Sequence, residues 1–332
     1  MRTSVGVAVT VVAIVGAVVV GLVRNKGPLH SPAIAGITGA SSPAPRLAAA
    51  QPDRIENDDA QLSERLKTLC SRTSGDFGVA VIHVETGRTV LIEGAKQLPL
   101  YSVFKLPLAV AVLKDVEAKK LLLNRKVRVT PEDVTPGSQF NTDLWRKPVE
   151  KTVAELLELS IVRSDNTSSD KLLQLVGGPA AVTQQMRSLG FANINIQYTV
   201  REFAARRDRP NTGTASDLAD LLAQLQKGEV LQQSQLLLLL GFMTRAMTGG
   251  ERRLRADLPA GTPVADKTGT GEPGTSTNDV GLITLPEERG HLAIAVLLSG
   301  SKLSVEAQEK LIAQLARAAY DSYVSAPAPR TE

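Results

Sequence analysis

Ser102-Val103-Phe104-Lys105, Ser164-Asp165-Asn166 and Lys267-Thr268-Gly269 follow one another along the chain, and the reading of these three short stretches decides the rest. A lone Ser-x-x-Lys is expected by chance about once in a chain of this length; two exact tripeptides following it in order are not. A serine hydroxyl is a weak nucleophile at its free pKa and needs a base beside it. A lysine three residues along a helix comes to the same face. Ser102 precedes an apolar stretch, so its alternative role is a helix N-cap. Lys105, on an otherwise apolar face, needs a reason to be buried. Desolvation and neighbouring cations lower an ammonium's pKa until neutral amine accepts the serine proton, and a helix N-terminus favours the developing alkoxide. Asp165 suits the cap of a helix over residues 166–175. Lys267-Thr268-Gly269-Thr270 ends a strand, and its bland alternative is a turn with Gly269 at positive φ.

At these motifs, at 164–178 (SDNTSSDKLLQLVGG), at 247–266 (MTGGERRLRADLPAGTPVAD) and at Thr277-Asn278-Asp279-Val280, the chain resembles the class A serine β-lactamases and related penicillin-recognising enzymes. The resemblance covers most of residues 60–325 and leaves out the first fifty or so. It implies an α+β fold, a three-layer α/β/α sandwich with an inserted all-α subdomain and a site in the cleft between them. It also implies the roles: Ser102 as nucleophile, Lys105 as its base, Ser164 passing a proton to the leaving nitrogen, and Asn166 binding the substrate's acyl-amide. Lys267 gives the cleft positive potential and Thr268 binds the substrate carboxylate. Gly269 lets the substrate lie against the strand edge, and the N–H groups of Ser102 and Thr270 form the oxyanion hole. The substrate is then a small β-lactam or a peptidoglycan peptide, and the protein a monomer.

One part departs from the family. Class A hydrolysis uses a glutamate on a long loop to activate water against the acyl-enzyme. The loop lies between Gly190 and Asn211, where Glu202 and Asp208 are the only carboxylates. Ungapped counting from Gly190 puts the glutamate near Val200, two residues before Glu202, and the asparagine expected four residues later is Arg206. Glu202 is therefore a candidate base, or else a surface glutamate paired with Arg201 or Arg206.

Composition excludes other chemistries. A formal charge of +4 is mild for 38 basic and 34 acidic residues, and aromatics make up 3%. The cluster Arg206, Arg207 and Arg209 thus lacks a stacking platform, and nucleic-acid binding is not expected. Cys70 is the single cysteine; no intramolecular disulfide forms, and its helical apolar context suits a buried structural thiol. His30, His83 and His291 belong to no ligand pattern, so no metal or other cofactor is assigned.

Residues 1–26 form an apolar anchor or signal segment: Ser4 to Val23 carries no charge, between Arg2 and Arg24. Its length spans a bilayer and exceeds a usual signal-peptide core, so an uncleaved anchor is expected. A cleaved signal peptide, with Ala33-Ile34-Ala35 downstream, is the alternative. Residues 27–56, rich in Pro, Ala and Ser, read as a linker. Residues 57–326 make the catalytic domain, its α/β part 57–100 plus 250–326 and its all-α part 101–249. Location is extracytoplasmic, in a periplasm or at the cell surface, tethered or secreted.

Within that domain, apolar periodicity predicts helices near 58–72, 102–116, 152–161, 165–175, 179–189, 215–225, 234–247 and 305–323. Strands are predicted at 77–84, 88–93, 263–267, 279–285 and 291–298. Three functions fit. The first is a serine β-lactamase. The second keeps the acylation machinery but deacylates slowly, as a D,D-peptidase-like penicillin-binding protein. The third, a catalytically silent wall-binding domain, has no use for a nucleophile and base.

Overall fold

A computed structural model describes residues 52–137, 143–206, 210–272 and 275–325. The N-terminal apolar segment and nearly all of the linker lie outside the described residues, as does Asp208. No helix among the described residues is long and apolar enough to cross a membrane.

Helix α1 (Pro52–Cys70) begins inside the stretch assigned to the linker. Proline's fixed φ and missing N–H suit a helix's first turn, so Pro52 opens the helix where the sequence reading had it close the tether. Leu62, Leu66 and Cys70 fall four apart and are buried. Burial raises the Cys70 thiol to about 12, as a structural thiol requires.

Strands β1 (Asp76–His83) and β2 (Thr89–Ile92), both predicted, pair as a hairpin, with Gly87 at φ 71° in its turn. After short β3 (Leu98–Pro99) the chain enters its helices. Helix α2 (Lys105–Glu117) has every residue from Lys105 to Leu113 buried; a helix apolar all round sits in the core rather than on it. Strands β4 (Lys126–Val129) and β5 (Val149–Thr152) then pair with each other. Thr152 then caps α3 (Val153–Val162) in a reciprocal box with Glu155, which satisfies two N-terminal donors at once. There follow α4 (Asn166–Leu175), α5 (Pro179–Ser188), α6 (Val200–Arg206), β6 (Thr212–Gly213), α7 (Ala215–Gln226) and α8 (Gln233–Thr244).

The chain returns to the sheet with β7 (Val264–Thr270), β8 (Ser276–Thr284) and β9 (His291–Ser299) and closes with α9 (Val305–Ser325). The sheet order is β2-β1-β9-β8-β7, antiparallel throughout, so the first hairpin pairs directly with the last strand. Alternation on β9 sorts two cores. Ile294, Val296 and Leu298 face α1 and α9. Ala293, Ala295 and Leu297 face the helical part, where small alanines let α7 lie close on β1 and β9. Three layers result, α+β as expected. The edge strand β7 is left with one side unpaired, and the helical part stands over that side.

Candidate active site

Ser102 lies on a 3-10 turn, Tyr101–Phe104, that runs into α2. Residues i and i+3 eclipse in such a turn, which sets Ser102 and Lys105 on one face. The alternative role of Ser102, an α-helical N-cap, is not taken up: Ser102 makes no capping bond, and Phe104 is the residue at the start of α2. Tyr101 before it is left-handed at φ 46°, a conformation that costs a non-glycine residue about 1–3 kcal/mol and persists only where the surroundings enforce it.

Lys105 is wholly buried. Its Nζ donates to Ser164 O at 2.6 Å, Ser164 Oγ at 3.0 Å and Asn166 Oδ1 at 2.7 Å. Burial first, and then the charge of Lys267, hold its pKa well below the usual lysine value. Ser164 joins α3 to α4 in a left-handed conformation, φ 52°, which turns both its carbonyl and its hydroxyl to Lys105. Next to it Asp165 caps α4 through Ser168 N at 2.7 Å. Asn166 donates from Nδ2 to Pro136 O at 2.8 Å. A methyl on Gly137 would sit 2.5 Å from that amide nitrogen.

Across the cleft Lys267, equally buried, donates to Ser164 Oγ at 3.2 Å and to Thr268 O at 2.9 Å. Its pKa is lowered to about 8, chiefly by burial. Ser164 Oγ therefore lies between two buried amines. Thr268 Oγ1 donates to Thr248 O at 2.9 Å and lies 2.7 Å from Thr248 Oγ1. At Gly269 the close neighbour is the chain itself: a Cβ would meet Leu100 O at 2.4 Å and Val103 N at 3.1 Å. Glycine here brings β7 against the turn that carries Ser102, a reason different from the one the sequence suggested. Thr270, at the exposed end of β7, accepts a bond from Arg253 at 2.8 Å.

Glu202 does not join this network. It is exposed on α6, where its Oε2 accepts Thr199 N at 2.9 Å and Thr199 Oγ1 at 3.0 Å, closing a capping box with Glu202 N on Thr199 Oγ1. Among the described residues its Oε1 has no hydrogen-bond partner. Phe203, the next residue, meets the Tyr101 ring edge-on at 5.9 Å, so α6 stands at the rim beside the Ser102 turn. Arg206, where an asparagine was expected, lies over the Tyr198 ring at 5.6 Å.

Three supporting residues were not singled out from the sequence. Arg253, buried, donates to Gly269 O, Asn278 O and Glu309 as well as Thr270, tying the end of β7 to β8 and α9. Thr248 holds the Thr268 hydroxyl. Asp170 accepts Val200 N at 2.8 Å, Arg201 N at 3.0 Å and Thr135 Oγ1 at 3.0 Å, fastening α6 to α4; burial raises its pKa. Its place four residues after Asn166, one helical turn, was the available signal. Arg253 had none, being one arginine in a local cluster.

Residues 61–323 match the β-lactamase enzyme family. The extended-spectrum β-lactamase PER-1 of Pseudomonas aeruginosa is 34% identical, over 78% of this chain and 86% of its own length. A β-lactamase of Streptomyces albus G is 32% identical, over 77% and 82%. Among solved structures, a β-lactamase from Chitinophaga pinensis DSM 2588 superposes with a TM-score of 0.74 at 32% identity, covering 80% of this chain and 99% of that one. An ancestral class A β-lactamase gives 0.72 at 36% identity, over 78% and 98%. With the sheet, the inserted helices and the Lys105–Ser164–Lys267 network in place, the chain belongs to the β-lactamase enzyme family, among its class A serine enzymes.

Proposed function

We propose that the protein hydrolyses β-lactam amides through an acyl-enzyme on Ser102. The observation that carries this reading is the convergence of two buried lysines on Ser164 Oγ. Neutral Lys105 takes the Ser102 proton as Oγ attacks the carbonyl, and the N–H groups of Ser102 and Thr270 receive the oxyanion. Ser164, within hydrogen-bond reach of both lysines, hands a proton to the leaving nitrogen. Protonated Lys267 attracts the substrate carboxylate and the Thr268 hydroxyl, released from Thr248, binds it. Water then attacks the ester. Glu202 is the base proposed for that step: its capping bonds use Oε2 and orient the carboxylate, while Oε1 stays available to a water at the rim.

One observation favours the second reading, a D,D-peptidase-like enzyme with slow deacylation: Glu202 shares no hydrogen bond with the acylating group. A time course with a chromogenic cephalosporin, followed by intact-protein mass, separates the cases. Steady turnover supports the β-lactamase, a stoichiometric burst with a stable adduct supports the second reading, and no reaction overturns both. A monomer, the default that the family resemblance implies, is the proposed working unit. The apolar segment 4–23 supports action outside the cytoplasm, tethered by that segment.

A further inference from the structure

We infer that the groove between α1 and α9, on the face of the sheet turned away from the helical part, binds a phosphate ester through Arg65, Arg72 and Arg317. The site stands apart from the proposed function and does not depend on it. The two helices run antiparallel there. Arg65 Nη2 lies 3.8 Å from Asp321 Oδ2, and Arg72 Nη1 donates to Gln314 Oε1 at 3.2 Å. Arg65 and Arg72 are two helical turns apart, about 10 Å at 1.5 Å per residue, and Arg317 falls between them on the facing helix. A cavity of about 430 Å³ opens among these three arginines, with Asp257 on its far wall.

Its charge balance separates this groove from an ordinary ion-paired surface. Lys310 occupies both carboxylate oxygens of Asp257, at 2.8 and 3.0 Å. Arg317 Nε takes Asp321 Oδ1 at 2.6 Å, and its Nη1 takes the Asp257 carbonyl at 3.0 Å. Arg65 reaches Asp321 only at ion-pair distance, and Arg72 meets a neutral amide. Three guanidiniums thus share one carboxylate, that of Asp321, and each keeps N–H donors that no described residue accepts. Ligand pockets of this size are mostly apolar; here Leu69 is the one apolar side chain of the lining, so the fitting ligand is charged. A guanidinium fork matches phosphate oxygens two at a time. A tetrahedral phosphate presents oxygens to several sides at once, as a cavity flanked by arginines from two helices requires. The volume exceeds one phosphate and leaves room for the glycerol or sugar it esterifies. Such a group is offered either by a soluble phosphate ester or by the headgroup of an anionic phospholipid.

The test uses the full-length chain in phosphatidylcholine nanodiscs. Glycerol 1-phosphate is the soluble probe, read by isothermal titration calorimetry. Phosphatidylglycerol added to the discs is the lipid probe, read by the rise in melting temperature that a ligand of the folded state produces. Ionic strength is held constant, so that general screening does not change. The wild type should respond saturably to at least one probe. In Arg65→Gln/Arg72→Gln the affinity should fall by about tenfold or more, the worth of a hydrogen bond to a charged group, and the melting shift should vanish. Lys119→Gln/Lys227→Gln removes as much charge at exposed lysines after α2 and α7 and should respond as the wild type does. Arg65→Lys/Arg72→Lys keeps the charge without the fork; it should fall between, and it stands in if the glutamine variant misfolds. A response to phosphatidylglycerol assigns the site to a lipid headgroup, and a response to glycerol 1-phosphate alone assigns it to a soluble ester. No response to either probe, or equal weakening in the arginine and lysine variants, overturns the site and leaves the proposed function standing.

Discussion

The two sides of the cleft solve the same problem, holding charged groups ready, by opposite means. On the side of α2, α4 and β7, Lys105 and Lys267 are fully buried and bonded into one network through Ser164. On the α6 side, Glu202 is exposed and leans on its own helix turn. A buried ammonium without partners is costly, so its partners are fixed with it. An exposed carboxylate carries no such penalty, and its position follows from whatever holds the segment. Chemistry placed on the first side should fail abruptly when altered, and chemistry on the second should separate from it.

The largest expected effect is at the nucleophile. Ser102→Ala, which removes no structural hydrogen bond among the described residues, should keep the fold and abolish covalent labelling by a fluorescent penicillin. Labelling at the wild-type rate would move the nucleophile elsewhere. Lys105→Ala should slow acylation by roughly 10²–10⁴-fold, the usual worth of a positioned base. An unchanged rate constant at neutral pH would reduce Lys105 to packing.

Glu202→Gln sharpens the contrast between the two sides. The amide still caps Thr199 but cannot accept a proton, so acylation should proceed near the wild-type rate while deacylation slows by about 10²–10⁴-fold. Mass spectrometry would then find a long-lived adduct. Equal deacylation rates in the two proteins would remove Glu202 from the reaction and support the slow peptidase-like reading.

The same contrast governed what could be read from the sequence. Lys105 was legible because a lysine on an apolar face demands an explanation, and Lys267 because it opens one of the three motifs. Asp165 was legible because capping is local. The α6 helix was not: seven residues carry little periodicity, and it is held by Asp170, thirty positions away. The paired strands β3 with β6 and β4 with β5 were missed for a related reason, each being too short to alternate. Arg253 was invisible because its neighbours Arg252 and Arg255 give the same local signal as the surface cluster near Arg206. Only the folded chain carries its guanidinium under the end of β7.

A smaller effect is expected at the carboxylate site. Thr268→Val keeps the shape of a buried residue and removes one hydroxyl. Loss of a hydrogen bond to a charged group costs about 1.5–3 kcal/mol, or roughly 10–150-fold in kcat/KM. Selectivity for a carboxylate substrate over its methyl ester should fall with it. A variant that kept the wild-type preference would assign recognition to Lys267 alone.

The smallest effect is graded with pH. Lys267 has its pKa lowered to about 8 by burial, so above that value its protonated fraction falls about tenfold per unit and with it the attraction for a carboxylate. Below about 8 it is protonated whether folded or unfolded; from there up to the ordinary lysine value, the folded protein binds fewer protons than the unfolded chain. By linkage, stability contributed through this residue rises with pH across that window while activity falls. Lys105, lowered in the same direction by its own burial, adds to stability with the same sign. Alkaline inactivation should therefore appear as a rising KM in a protein whose melting temperature does not drop in parallel. Lys267→Arg should carry the activity limb upward, because a guanidinium stays charged there. An alkaline limb that remained near 8 in this variant, or that tracked loss of fold in the wild type, would show that Lys267 does not set it.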